Sequence, residues 1–241
     1  MPITLPNAPR HSAARLVDHL TELLREKNVP IGMPAEMRLE ALSYSEPHPV
    51  FYVPLDALAD GKLLDAATQT SWRYLLVQDD MAIAEAELSA SHRVAKRAVK
   101  ALKFLGLTHG PFTAATVDAL AAAERLPQVA SADFELRLLK IPAVYLAALW
   151  LHSAKDDLLI PMGDPPGGLK PNEAYTEAAV MEALRGIVEQ TKRFQDAYDA
   201  NRRKRGATKP GGTKRGGTKR GGTKRGGTKR GGTKRGGTRR R

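Results

Sequence analysis

Eighteen of the chain's 38 lysines and arginines fall after Asn201, and no aspartate or glutamate falls among them. They are Arg202, Arg203, Lys204, Arg205, Lys209, Lys214, Arg215, Lys219, Arg220, Lys224, Arg225, Lys229, Arg230, Lys234, Arg235, Arg239, Arg240 and Arg241. Residues 1–200 hold the other 20 cations against all 26 acids, so a body of net charge near −6 is followed by a tail near +18. Cations at that density are chemistry for phosphate. Each contact releases condensed counterions, and arginine adds a fork onto phosphate oxygens or a flat face for an exposed base. The expected partner is the DNA or RNA phosphate backbone, bound without sequence preference, because the tail has no aromatic residue on which bases would stack. An acidic protein or a polyanionic membrane face is a second candidate target, and the chain's own acidic body a third.

The body offers fewer reactive groupings. Its six histidines, His11, His19, His48, His92, His109 and His152, include no pair four residues apart, the spacing that sets two imidazoles on one helix face for a metal. His152 with Asp156 and Asp157 forms either a loop-borne acid/base or metal cluster or a plain polar hairpin turn, and the turn is the expectation. Glu85, Glu87 and Glu135 lie at alternating strand positions and read as the solvated face of a sheet, with a cleft lining as the alternative. Trp72, Tyr74, Tyr145 and Trp150 read as core rather than as a stacking platform. The stretches Gly163–Gly168 and Thr108–Pro111 lack the phosphate-loop and dinucleotide spacings, and their prolines remove N–H groups that a phosphate cradle needs. There is no G-x-S-x-G elbow. With no cysteine, disulfides, thiolate catalysis, Cys-zinc sites and iron–sulfur clusters are excluded. No catalytic, cofactor or metal site is assigned, and the reading leans away from an enzyme.

After Gly206 the tail reads ATKPGG, then TKRGG five times, then TRRR. A period of five fits neither helix nor strand. Paired glycines with no apolar side chain cannot offset the entropy of ordering, so 206–241 is expected to be disordered. As Gly-rich coil, about 35 residues span roughly 30–35 Å on average. The RGG units, spaced by Thr-Lys, resemble the Arg/Gly-rich segments of RNA-binding proteins, although lysine supplies nearly half the charge here and the aromatics often interleaved in such segments are absent. That resemblance implies nucleic-acid binding by the tail alone. A five-codon repeat also expands by replication slippage, in which case it does little more than solubilise.

The elements that carry these groups read as α+β: a mainly antiparallel sheet with helices packed on one face, a long C-terminal helix and the basic tail. Ser12 reads as the cap of a helix to about Lys27, with Leu16, Leu20, Leu23 and Leu24 on one stripe. Met37–Tyr44 and Val50–Pro54 read as strands, followed by a short helix over Leu55–Leu64. Trp72–Leu88 reads as a hairpin turning at Asp79-Asp80, a poorer pair than Asn-Gly or Asp-Gly. Arg93, Lys96, Arg97, Lys100 and Lys103, interleaved with apolar residues up to Phe104, predict an amphipathic helix with a positive face, either a second basic surface or simply a solvated one. An Ala-rich helix over Thr113–Leu126 ends at Pro127.

Phe134–Leu138 and Val144–Leu151 read as strands broken at Pro142, the second buried on both faces or, alternatively, a buried helix over Ala143–His152. Leu158–Ile160 pairs back on it. Thr176 caps the long helix, in which Val180, Leu184, Ile187, Thr191, Phe194 and Tyr198 recur at spacings of four and three. This seam either docks on the body or forms a homodimer through Val180, Leu184, Ile187 and Phe194, and the helix projects the tail away from the sheet. The domains are 1–173, 174–205 and 206–241. No segment reaches about 18 uninterrupted apolar residues, and the N-terminus has no leader pattern, so a cytoplasmic protein is expected, nucleoid-associated in a bacterium. The expected function is non-enzymatic, sequence-independent binding of nucleic acid. The alternatives are an enzyme of unrecognised family located by its tail, with its site near His152 or Trp72, and an assembly or cargo protein docking on an acidic scaffold.

Overall fold

Apolar and β-branched runs cut short by Pro, Gly and Asp become the strands, and the residues between them supply turns and helices. The computed structural model describes residues 3–25, 37–90 and 102–207. Its elements in chain order are β1 (Ile3–Thr4), α1 (Ser12–Arg25), β2 (Leu42–Tyr44), β3 (His48–Tyr52), α2 (Leu55–Ala59), β4 (Thr68–Gln78) and β5 (Met81–Ser89). There follow β6 (Phe104–His109), α3 (Pro111–Glu124), α4 (Pro127–Ser131), β7 (Phe134–Ile141), β8 (Leu146–His152), β9 (Asp157–Pro161) and α5 (Glu177–Ala207). The chain divides into two units, 1–201 and 202–241, and only residues 202–207 of the second are described. The first contains the whole sheet.

The strands run in the order β6-β5-β4-β3-β7-β8-β9, with β1 beside β7 and β2 beside β4. Neighbours are antiparallel except β3 with β7 and β1 with β7, so the α+β class and the mainly antiparallel sheet are both present. The β4–β5 hairpin turns at Asp79 and Asp80, whose φ angles of 51° and 61° both lie in the left-handed region, as a type I′ turn requires. Leu76 pairs with Ala84 whereas Val77 pairs with Ala82, which leaves Ile83 as a bulge.

Alternation along β7 shows how the sheet is covered. Leu136 and Leu138 face one way, into a core shared with Ala119 and Ala123 of α3 and Leu149 and Leu151 of β8. Leu139 and Ile141 face the other way, into a core shared with Trp150, Leu159 and the α5 residues Val180, Leu184 and Val188. On that second face α1 covers the far half of the sheet, setting Leu16 and Leu20 against Tyr74, Leu76, Ala84 and Ala86. Helices therefore lie on both faces, not on one. A strand such as β8, apolar at consecutive positions, needs cover on each side. Each fully buried leucine contributes about 1.5–3 kcal/mol through the hydrophobic effect.

Local chemistry places several boundaries differently from the sequence reading. The carbonyl of His11, a residue with φ 68°, accepts the first bond of α1 from Arg15, so Ser12 lies inside the helix rather than capping it. The Ser12 hydroxyl instead accepts a 2.7 Å bond from buried Tyr74, and burial raises the Tyr74 pKa although that bond lowers it. Leu39–Ala41 is a 3-10 turn, which shortens the expected Met37–Tyr44 strand to β2. Of the expected basic helix, residues 91–101 lie outside the described residues. Its last part is not helical, because Phe104–His109 is the strand β6, paired with β5.

Thr176 does cap α5: its hydroxyl accepts from the Ala179 N–H at 3.3 Å and its carbonyl from that of Val180 at 3.1 Å. Val180 and Leu184 are fully buried on the body and Ile187 packs beside them, so three of the four residues named for a dimer seam already have a role in this core. Phe194 and Tyr198, further along the same stripe, are 69% and 67% exposed. Gly167 explains the Gly/Pro loop before α5: a Cβ there would lie 2.4 Å from the Ala183 carbonyl oxygen, so the loop needs a glycine to approach the helix backbone.

Candidate functional site

The tail cations divide at the edge of the described residues. Arg202 and Arg203 are exposed on α5, Lys204 and Arg205 continue the helix, and Lys209 to Arg241 lie outside the described residues. In the body, Lys103 is exposed just before β6, its N–H donating to Ser89 Oγ at 2.9 Å.

The most unusual grouping in the body includes Glu85, which is buried rather than on the solvated face expected from its alternation with alanines. Arg73 of β4 is completely buried, with Glu85 of β5 and His48 of β3 each 2% exposed. Arg73 Nε donates to His48 Nε2 at 2.8 Å, and Nη1 donates to Glu85 Oε2 at 2.9 Å and to Thr116 Oγ1 of α3 at 3.3 Å. The Thr116 hydroxyl lies 2.9 Å from Glu85 Oε1 and 3.0 Å from the Phe112 carbonyl oxygen, so its one proton serves either acceptor. The guanidinium carbon stands 5.9 Å from the centre of the Phe112 ring. Among the described residues, Arg73 Nη2 and Thr113 Oγ1 are buried without a hydrogen-bond partner.

This network fixes protonation states. Because His48 Nε2 accepts from Arg73, its ring proton sits on Nδ1 and the imidazole is neutral. Burial, reinforced by the charges of Arg73 and Lys140, holds the His48 pKa well below its ordinary value. Burial also lowers the Arg73 pKa, opposed by Glu85 and Glu87. A histidine whose acceptor nitrogen is already bonded to a guanidinium cannot serve as a general base.

Beside this core, Glu87 accepts from Ser71 Oγ at 2.9 Å and is ion-paired with Lys140 Nζ. Glu87, Lys140, Leu105, Gly106 and Thr108 line a pocket of about 190 Å³. It exists because Gly106 stands opposite Glu87 in the β5–β6 register and has open space where a side chain would be. Its charged lining is the Glu87–Lys140 ion pair itself. Among the described residues no group of three histidine, aspartate or glutamate side chains is placed to hold a metal ion.

The other candidates resolve into local structure. His152 Nδ1 and Trp150 Nε1 both lie 2.7 Å from Asp157 Oδ1, across the β8–β9 pair, while Ser153 closes the turn by bonding to the Asp156 carbonyl. This is a hairpin end, as expected. Glu135 pairs with Arg137 at 2.7 Å, on the sheet face opposite Glu85, and Arg137 stacks 4.6 Å from Trp150 and 5.0 Å from Phe51. Trp72, Tyr74 and Trp150 are buried, as expected of core, whereas Tyr145 is 90% exposed in a left-handed turn with φ 56°. A surface groove of about 730 Å³ runs between α2 and α5, floored by Leu58, Met181 and Val188. Its rim charges are balanced: Lys192 lies 2.9 Å from both Asp56 and Asp196, bonds that raise its pKa, and Arg193 lies 3.6 Å from Glu189.

The chain matches no protein-family model, no curated protein and no solved structure.

Proposed function

We propose that this chain is a non-enzymatic binding protein whose basic tail attaches it to DNA or RNA through the phosphate backbone, without sequence preference. The observation that carries the reading is the segregation of charge: 18 cations and no acid after Asn201, against a net charge near −6 before it. Nucleic acid attracts the tail and repels the body, so the contacts concentrate in the tail. With about six to eight simultaneous phosphate contacts, log Kd against log salt has a slope of roughly 5 to 7 on duplex DNA, and binding is strong at low salt and weak near physiological salt. The absence of tail aromatics supports indifference to sequence. Among the described residues no helix is long and apolar enough to cross a membrane. The cytosol, or the nucleoid of a bacterium, is the compartment that suits such a protein.

The test is binding of labelled duplex DNA and single-stranded RNA across a salt series. It compares the full chain with a full-length variant in which the 14 cations from Lys209 onward are glutamine. The reading expects steeply salt-dependent binding that the variant loses. If the unmodified chain binds neither polymer at low salt, the reading fails and an acidic protein scaffold becomes the target to seek. A second reading, an enzyme located by its tail, is favoured by one observation: Arg73, buried with Glu85 and His48, stands opposite Glu87 of the Glu87–Lys140 pocket in the β4–β5 register.

A further inference from the structure

Six of the tail's seven threonines stand in one register, with a Lys-Arg pair four and three residues before the hydroxyl. They are Thr208, Thr218, Thr223, Thr228, Thr233 and Thr238. The seventh, Thr213, has Lys209 and Pro210 at those places. Through residues 1–207 no serine or threonine has an arginine three residues before it, and the tail contains no serine or tyrosine. The repeat by itself accounts for five of the six. Thr208 lies before the first TKRGG unit and follows Ala207, yet Lys204 and Arg205, the cations at the end of α5, stand in the same register.

A hydroxyl at a fixed offset from a guanidinium and an ammonium is a pattern that an enzyme reads with carboxylates along its substrate groove, one of them forked onto the arginine. We propose that these six threonines are acceptors for a protein kinase with an acidic substrate groove, and that their phosphorylation releases the tail from nucleic acid. In the transfer, a kinase carboxylate takes the hydroxyl proton. Threonine Oγ bonds to the γ-phosphorus of a nucleoside triphosphate as the bridging P–O bond breaks, and the nucleoside diphosphate leaves. Each phosphate adds about −1.5 to −2 charges at neutral pH, so six bring the tail from +18 to roughly +6 to +9. Each repeat phosphate is also followed by a cation, such as Lys219 after Thr218, whose charge it offsets. The consequence for binding rests on the nucleic-acid reading; the acceptor sites do not.

The experiment uses the full chain, ATP and a purified kinase that selects arginine three residues before its acceptor, with a kinase that selects acidic flanks in parallel. Intact mass and fragment mapping count and place the phosphates, and binding of duplex DNA is then measured across salt. The expected result is six phosphates on the six named threonines from the first kinase and none from the second. Thr213 and the body stay unmodified, and P210R raises the count to seven. DNA affinity near 150 mM salt falls on the order of 100-fold, with a shallower salt slope, as loss of about three contacts requires. A variant with all six threonines changed to valine takes no phosphate from the first kinase and binds DNA like the unmodified chain.

The acceptor assignment is overturned if the chain stays unmodified while a short Arg-x-x-Thr peptide turns over, or if Thr213 is modified as fast as its neighbours. The release is overturned if the six-fold phosphorylated chain binds DNA as before. Failure of the unmodified chain to bind DNA refutes the nucleic-acid reading and the release, and leaves the phosphate map to be judged alone.

Discussion

Across β7 and β8, α5 meets the sheet with hydrocarbon: Val180, Leu184 and Val188 against Leu139, Ile141 and Trp150. Across β3, β4 and β5, on the opposite face, α3 meets it with Thr116 and Phe112 against Arg73, Glu85 and His48. The first contact depends on area and volume, so it degrades by increments. The second depends on complete pairing of buried charge, so removing one member leaves the others exposed to the full cost of burial. The small inward stripe of α3, with Thr113, Thr116, Ala119, Ala122 and Ala123 all buried, brings the helix close enough to the strands for Thr116 to reach both Arg73 and Glu85.

The sharpest way to break this comparison is to halve the polar pair. Arg73→Met leaves the Glu85 carboxylate buried without its cation and is expected to cost about 3–5 kcal/mol, a fall in Tm on the order of 10 °C by thermal unfolding. Adding Glu85→Met should recover most of that loss, because apolar replacement of both partners removes the unpaired charge. If the double variant is no more stable than the single one, the damage comes from lost packing and the contrast between the faces collapses. On the α5 side, Leu184→Ala should cost about 3 kcal/mol through lost burial and the cavity left behind. No removal of a neighbouring side chain should restore it, since the neighbours lose contacts and gain none.

The polar face also carries a pH dependence that the apolar face lacks. Neutral His48 is held by Arg73, and burial plus the nearby cations Arg73 and Lys140 lower its pKa, while Glu85 and Glu87 face the same network. The unfolded chain therefore binds a proton below about pH 6.5 that the folded chain refuses, and stability rises with pH in that window. Lowering the pH through the unfolded histidine value toward the folded one should lower Tm. His48→Gln keeps an acceptor for Arg73 Nε and should flatten the curve between pH 7 and 5. A wild-type Tm that is flat across that range would remove His48 from the account.

Much of this architecture is legible in residue patterns. Alternation marks Phe134–Leu138, the apolar run marks β8, and Thr176 announces α5, because each signal is local and period-specific. The polar cluster is not legible, for a reason that can be traced to one residue. A regular hairpin closing at Gln78 and Met81 would set Arg73 opposite Ala86 and turn Glu85 and Glu87 to the other face. The bulge at Ile83 shifts the register by one, so Arg73 pairs with Glu87 and the glutamates join its face. Nothing in the composition of Met81–Ser89 marks that extra residue. An arginine inside the run Trp72–Val77 was the available signal, since a buried strand rarely carries an unpaired charge. The seam of α5 was half legible: its spacing is uniform, but only the part facing Leu139 and Ile141 is buried, and where the sheet ends is a tertiary fact.

The turn that starts this register gives the finest test. Asp79 and Asp80 adopt φ 51° and 61°, a conformation in which a Cβ costs energy and glycine does not. Asp80→Gly gives the Asp-Gly sequence that type I′ turns favour and should stabilise the body by about 0.5 kcal/mol, after the greater unfolded-state entropy of glycine is subtracted. Because Ile83, not the turn, supplies the register shift, the substitution should leave the Arg73–Glu85 network intact, and the pH dependence assigned to His48 should keep its shape. A stabilised turn with an altered pH profile would mean that the strain at Asp80 helps to set the bulge. The polar face would then be specified from the hairpin end, not from the α3 side.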